Sequence, residues 1–197
     1  MQIALTQKLM TALDQKLPPI DESVDPLFTW TANWIKVWDN RKSEDMLVLV
    51  NHATRFTVAI YQVKRKDLKN FPRIVETAIA NTLLTMNLNP ELVLAYIELA
   101  GAFHLVRNNS RATTSWVNQA GLDCSFFVAE NYNSIAKMFS DTIGTTLNNQ
   151  IVNTSKSRSE AYCPADRMVE TLAQRTGKQP LSIEFPNAHN YDRSEVL

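Results

Sequence analysis

The sequence predicts an α+β fold in which a small, mainly antiparallel sheet is covered by several helices. The first observation is a meander around residues 29–63, where three runs of β-branched and aromatic residues are separated by polar turns. The second is the stretch 46–50, which contains no polar residue and should be covered on both faces. The third is helical spacing of apolar residues in much of the C-terminal half, which predicts that this half is mainly helical.

The runs of the meander differ in how their side chains are distributed. In the first run, Trp30, Trp34 and Trp38 share one face, because alternate residues of a strand point to the same side. Residues 39–45 form a charged turn. The third run, residues 56–63, follows the second after only a few residues, which favours an antiparallel hairpin. The second run is therefore the central strand, with three residues expected to be buried: Leu47, Val48 and Leu49.

A short strand at residues 2–4 and a helix precede the meander. Thr6 is the expected N-cap of this helix, because a threonine side chain can accept a hydrogen bond from the first helical turn. The helix is expected to continue to Leu17, since Pro18 and Pro19 then end it.

Capping residues mark the helices that follow the meander. One helix begins near Asn70, and the next spans residues 90–100 between Asn89 and Gly101. The second of these is apolar nearly all round and is expected to be buried. Residues 102–106 then indicate a further strand, because apolar and polar residues alternate there.

Three further helices are predicted in the C-terminal half. Ser110 caps the first, which Gly121 ends or bends. Asn133 caps the second, and residues 164–176 form the third, which Gly177 stops. The expected apolar face of the Asn133 helix contains Ile135, Met138, Phe139, Thr142 and Leu147.

The chain is long enough for one main domain with a substantial core, and residues 1–152 are predicted to form it. Residues 153–160 contain no apolar side chain. This polar composition is typical of a linker and marks the end of the compact body. We interpret residues 153–197 as a polar linker, a short helix and a C-terminal tail that pack on the domain or extend from it.

Composition excludes several classes of protein. Twenty Lys and Arg balance twenty Asp and Glu, so the whole chain does not attract nucleic acid or an anionic membrane. No apolar run approaches the roughly 18 residues of a membrane helix, and the first residues lack the features of a secretory signal. Cys124 and Cys163 are too few for a disulfide framework and are interpreted as free thiols. We therefore predict a soluble cytoplasmic protein.

The motifs of common enzymes and cofactor-binding proteins are missing from the sequence. There is no GxGxxG, Walker or GxSxG pattern. His52, His104 and His189 do not have the spacing of zinc ligands relative to one another or to a cysteine. We predict no catalytic residues, no metal ligands and no cofactor, which favours a protein that is not an enzyme without excluding one.

Two features permit nucleic-acid binding. The three tryptophans of the meander form a stacking platform if they are exposed, although burial in the core is the favoured interpretation. Residues 36–73 contain nine basic and four acidic residues, which provides a local positive charge for phosphates. The candidate contacts are Lys64, Arg65 and Lys66. A solvated rim explains them equally well, and we expect no binding of an oligonucleotide.

Polar residues far apart in the sequence are predicted to converge at one end of the sheet, since half-buried amides and guanidinium groups need partners. They are Asn33, Asn51, Arg55, Arg111 and Asn118. In the favoured version these residues fasten the hairpin to the helix that begins near Ser110. In the functional version a small anion or nucleotide fragment lies between the two arginines, and the asparagines orient it.

The same residues belong to local patterns that resemble a known family. The patterns are Trp30-x-Ala32-Asn33, Val50-Asn51-x-x-Thr54-Arg55-Phe56, Lys69-Asn70-Phe71, and Arg111 with Ser115, Val117 and Asn118. Together they resemble a family of uncharacterised bacterial domains that is sometimes associated with plasmid pRiA4b ORF-3-like proteins. The chain departs from this family at Thr114, where the family tends to have glycine. The resemblance covers roughly residues 1–120 and implies an α+β domain of bacteria or their mobile elements, but no reaction.

These observations lead to one functional prediction and two alternatives. We predict a non-enzymatic intracellular domain that binds another protein. The first alternative is a protein that binds nucleic acid, a nucleotide or another anion through the basic region 36–73. The second is an enzyme whose motifs are not recognisable.

Overall fold

The computed structural model describes residues 1–38, 43–131, 138–139, 141–153 and 161–178. This part of the chain combines a six-stranded sheet, a two-stranded sheet and six α-helices. The strands are β1 (Gln2–Leu5), β2 (Thr29–Trp38), β3 (Ser43–Asn51), β4 (Thr57–Tyr61), β5 (His104–Arg107), β6 (Met138–Phe139), β7 (Val152–Asn153) and β8 (Ala161–Tyr162). The helices are α1 (Gln7–Leu13), α2 (Phe71–Thr85), α3 (Pro90–Ala100), α4 (Arg111–Asn131), α5 (Asp141–Asn148) and α6 (Pro164–Thr176).

The large sheet is mixed, with three antiparallel and two parallel strand pairings among the described residues. Its strand order is β5-β1-β2-β3-β4-β6, and β1 is parallel to both of its neighbours. The predicted meander of β2, β3 and β4 is antiparallel, which confirms that part of the prediction. The parallel edge was not predicted. It forms because the chain crosses over through α1 between β1 and β2, and through α2 and α3 before β5.

Strand β3 is central, as predicted. It pairs with β2 on one side and with β4 on the other, so that its backbone groups are satisfied from both directions. Leu47, Val48 and Leu49 are all buried. The unbroken apolar run is explained by helices on both faces of the sheet.

Two apolar cores lie on the two faces of the sheet. The first contains Trp30 and Trp34 together with residues of α1, α2, α3 and α6. The second lies under α4 and α5 and includes Val48, Val117 and Ile143. Trp30 and Trp34 are buried, so they do not form a stacking platform for bases. The side chain of Trp38 lies outside the described residues.

Helices α1 and α3 differ from their predictions. Helix α1 ends at Leu13 instead of Leu17, and Asp14 adopts a left-handed conformation with φ 53°. Thr6 occupies the N-cap position, but its side chain makes no capping hydrogen bond. Helix α3 has the predicted bounds and the Asn89 cap, whereas its predicted burial is wrong on one side. There Leu94 and Leu99 are 62% and 56% exposed.

Helix α4 continues past Gly121 to Asn131, so the predicted end at Gly121 is wrong. Ser110 caps it as predicted, accepting a hydrogen bond from the Thr113 backbone N–H at 3.3 Å. Gly121 lies against the sheet, where a Cβ atom would approach the Ile35 side chain to 3.1 Å. The glycine therefore permits close packing of the helix on the sheet.

The long helix predicted from Asn133 is confirmed only at its C-terminal end, where Thr142 and Leu147 lie in α5. Met138–Phe139 is strand β6, which pairs with β4, and α5 begins only at Asp141. Residues 133 and 135 of that prediction lie outside the described residues. Helix α6 has the predicted bounds, and it buries Met168 and Leu172 in the first core. Among the described residues, no helix is long and apolar enough to cross a membrane.

Candidate functional site

A chain of hydrogen bonds connects three polar side chains from three elements. The Thr6 hydroxyl donates to Asn33 Oδ1 at 2.7 Å, and Asn33 Nδ2 donates to Asn118 Oδ1 at 2.8 Å. Thr6 and Asn33 are buried, whereas Asn118 is exposed on α4. We call this chain the Thr6–Asn33–Asn118 relay. It shows that two of the predicted site residues, Asn33 and Asn118, are in direct contact.

Parallel pairing of β1 and β2 places Thr6 beside Asn33. Leu5 is the register partner of Ala32, and the Thr6 backbone N–H donates to the Ala32 carbonyl at 3.0 Å. Thr6 and Asn33 follow these two residues, and Asn33 reaches α4 through Asn118. Since Asn33 supplies both an acceptor and a donor, it satisfies the buried Thr6 hydroxyl and also reaches the helix.

The relay fixes the orientation of the Asn118 amide. Its oxygen accepts from Asn33, so its NH2 group is left for solvent or a ligand. Arg111 precedes Asn118 by seven residues, or about two helical turns, so both lie on the same side of α4. Both line a shallow cavity of about 550 Å³. This cavity therefore presents a guanidinium and an amide NH2, which are hydrogen-bond donors.

Apolar side chains continue the same side of α4. Leu122 lines the shallow cavity, and Phe126 follows it one turn later. Leu122 is 50% exposed and Phe126 is 61% exposed. We call the surface formed by Arg111, Asn118, Leu122 and Phe126 the α4 face. It combines donors at the N-terminal end with two large apolar side chains further along.

Arg55 lies on the other flank of α4 and not beside Arg111. Its Nη1 donates to the Asn153 carbonyl at 2.9 Å, and its Cζ lies 5.2 Å from the ring centre of Trp116. It lines a separate cavity of about 270 Å³, and only Gln119 is common to the two cavities. A ligand held between both arginines is thus not supported by this geometry.

Asn51 is a structural residue. It is completely buried, and its NH2 donates to the Leu27 and Thr29 carbonyls at 2.8 and 3.4 Å. Its oxygen accepts from both the N–H and the hydroxyl of Thr54, and from the Ala53 N–H. Because every polar atom of the side chain is used, Asn51 fastens the β3–β4 turn to the start of β2 and has no donor left for a ligand.

The basic cluster lies away from the α4 face. Lys64, Arg65 and Lys66 are exposed in the turn after β4, where the Lys64 backbone N–H donates to Asp67 Oδ2 at 2.8 Å. Arg65 lines a third cavity, together with Lys8 and Trp34. In the part of the chain that the structure describes, no group of three or more His, Cys, Asp or Glu side chains is arranged to hold a metal ion.

Sequence reasoning missed three residues of this region. The sequence predicts Thr6 only as a helix cap, because no local sequence pattern shows that β1 pairs with β2. Leu122 and Phe126 lie beyond Gly121, where the sequence predicts that the helix ends or bends, and both helix and strand fit the apolar pattern of the residues that follow. If the helical spacing of α4 is continued beyond Gly121, Leu122 and Phe126 fall on the exposed side of the helix. This spacing was the signal that could have found them.

The match to a known family covers the sheet and the α4 face. The family model described as "Domain of unknown function (DUF6933)" matches residues 2–167, from β1 to the first turn of α6. No curated protein matches the chain, and no solved structure matches it. The chain therefore belongs to DUF6933, a family of domains of unknown function.

Proposed function

We propose that this domain is a non-enzymatic binding module that recognises another protein through the α4 face. The observation that carries the proposal is the placement of Leu122 and Phe126, both at least half exposed, beside the donors Arg111 and Asn118 on one side of one helix. Exposed apolar groups next to oriented polar groups are typical of interaction surfaces.

The chemistry of the α4 face defines the partner's matching surface. A guanidinium and an amide NH2 favour a carboxylate, which accepts several hydrogen bonds at once. Leu122 and Phe126 favour an apolar side chain about one helical turn away from that carboxylate. The cavity between Arg111 and Leu122 is shallow, which suits a protein surface better than a small molecule that must be enclosed.

The proposal includes a cellular setting. The resemblance to uncharacterised bacterial domains associated with plasmid pRiA4b ORF-3-like proteins supports an origin in bacteria or their mobile elements. Cys124 and Cys163 are both free thiols, which is compatible with a reducing compartment such as the cytoplasm. We propose that the domain meets its partner there.

Photo-crosslinking tests the proposal. A photoreactive phenylalanine analogue replaces Phe126 in one form of the chain and Leu94 of α3 in a second form, which is the matched control. Both positions are exposed and apolar, with exposures of 61% and 62%. The proposal predicts one partner protein crosslinked in cells at position 126 and absent at position 94. That partner, once purified, should crosslink to the purified chain at position 126 alone.

Two results would contradict this function. Equal crosslinking at both positions would show that any exposed apolar side chain is labelled. Crosslinking at position 126 only to further copies of the chain, together with a dimer in sedimentation, would assign the α4 face to self-association.

A further inference from the structure

A cavity on the opposite side of the sheet from α4 combines an aromatic wall with positive charge. It has a volume of about 320 Å³ and lies where α1 and the turn after β4 meet β2 and β3. Trp34 and Ala12 contribute apolar surface. Lys8, Lys36 and Arg65 contribute positive charge. Only the last of these belongs to the basic cluster that the sequence singled out.

The cations outnumber the carboxylates among the residues that line this cavity. Asp45 is the single acidic side chain there, and it is the cross-strand register partner of Lys36. Arg65 and Lys8 are exposed, and none of the ion pairs between described residues involves them. The lining therefore carries a formal charge of plus two, from three cations and one carboxylate. Such a site favours an anion.

Trp34 supplies the aromatic part of the cavity lining. Its side chain is more than nine-tenths buried, and its Nε1–H is a buried donor that has no hydrogen-bond partner among the described residues. In contrast, the N–H of Trp30 donates to the Tyr96 hydroxyl at 2.9 Å in the same core. The Nε1 atom of Trp34 has less than 1 Å² of accessible surface, so a molecule in the cavity contacts the exposed part of the ring and not its N–H.

We infer that this cavity binds a small organic anion that has a planar apolar part. The planar part packs against Trp34 and Ala12. The acidic group is held by Lys8, Lys36 and Arg65. A carboxylate, a phosphate and a sulfonate share this chemistry. The inference does not depend on the α4 face, because the two sites have no lining residue in common.

Fluorescence titration with 8-anilinonaphthalene-1-sulfonate tests the site, since this probe is an aromatic anion. Its neutral counterpart N-phenyl-1-naphthylamine reports the apolar contribution alone. We expect the sulfonate to bind at least about tenfold more tightly than the neutral compound, the ratio that corresponds to a modest net electrostatic gain. The double substitution Lys8→Ala with Arg65→Ala should remove that preference. The matched control, Lys16→Ala with Arg73→Ala, removes two exposed cations that do not line the cavity and should keep it.

The variant Trp34→Phe tests the aromatic wall of the cavity, because it replaces the two fused rings of the indole by one smaller ring. We expect weaker sulfonate binding and a melting temperature several degrees below that of the parent, because the smaller ring leaves space in the core. The titration is therefore made at a temperature at which circular dichroism shows the variant to be folded. The inference is overturned if both double variants lose affinity equally, if the neutral compound binds as tightly as the anion, or if Trp34→Phe leaves binding of the anion unchanged.

Discussion

Replacement of His52 tests how burial controls the stability of the turn after β3. Its Nε2 lies 2.7 Å from the Thr31 hydroxyl, and the ring is mostly buried against the sheet. Desolvation by burial lowers the pKa of His52 from 6.5 to about 4. The neutral imidazole is therefore the form that the folded protein accommodates.

The sign of the pH dependence follows from this lowered pKa. The unfolded chain binds a proton near pH 6.5, whereas the folded chain does so only near pH 4. As the pH falls through this interval, protonation stabilises the unfolded state, so the free energy of unfolding decreases. The decrease attributable to His52 should reach about 2 kcal/mol at pH 4.5 and about 3 kcal/mol below pH 4.

Urea denaturation at pH 7.5 and at pH 4.5 measures this effect. The variant His52→Gln cannot titrate, so its free energy of unfolding should fall by about 2 kcal/mol less than that of the parent over this interval. His104→Gln is the matched control, because His104 is exposed in β5, and this variant should retain the parent's pH dependence. If His52→Gln and the parent lose stability in parallel, burial of the imidazole does not explain the acid sensitivity.

Three further predictions concern packing and the relay. Leu49→Ala in the completely buried centre of β3 should cost about 2 to 5 kcal/mol in urea denaturation, and a loss under roughly 0.5 kcal/mol would be that of a surface site. Gly144→Ala should destabilise by about 1 to 3 kcal/mol, because the new Cβ would lie 2.8 Å from Thr82 Cγ2. Adding Thr82→Ser, which removes that methyl group, should restore part of the loss, and strictly additive effects would refute the proposed clash. Asn33→Ala should cost about 1 to 3 kcal/mol in thermal or urea unfolding by leaving the buried Thr6 hydroxyl without its acceptor, and a neutral effect would show that the relay is not formed.

Local signals in the sequence were sufficient for the central strand and several helices. The unbroken apolar run of β3 requires cover on both faces, and Asn89 followed by Pro90 fixes the start of α3 through its cap. In the same way, Pro164 and Gly177 bracket α6. Each of these signals lies within the element it describes, so no knowledge of the rest of the chain was needed.

Long-range pairing accounts for what the sequence did not reveal. Strand β1 has only four residues, and its parallel partners are more than twenty and about one hundred residues away in the chain. The role of Thr6 depends on that pairing. Met138 and Phe139 fit a helical stripe, but pairing with Ile60 and Tyr61 places them in a strand instead. Exposure of Leu94 was equally hidden, because periodicity does not show which side of an apolar helix faces the core.

Helix geometry likewise decided which candidate site residues come together. Arg111 and Asn118 line one cavity because they are seven residues apart on α4. Asn33 joins them only through its hydrogen bond to Asn118. Arg55 contacts Trp116 instead, and five residues along a helix rotate a side chain by about 140° away from Arg111. The sequence contained the residues of both arrangements, but not the side of α4 on which each lies.

The affinity of the crosslinked partner for variants of the α4 face tests the central claim most directly. Calorimetric titration compares the parent chain with Arg111→Glu, Phe126→Asp and the α3 control Leu94→Asp, all at exposed positions. We predict that Arg111→Glu and Phe126→Asp each weaken binding about tenfold or more. Their melting temperatures should stay within about 2 °C of the parent, and Leu94→Asp should bind normally. Unchanged affinity of Phe126→Asp, or an equal loss with Leu94→Asp, would contradict a binding role for the α4 face.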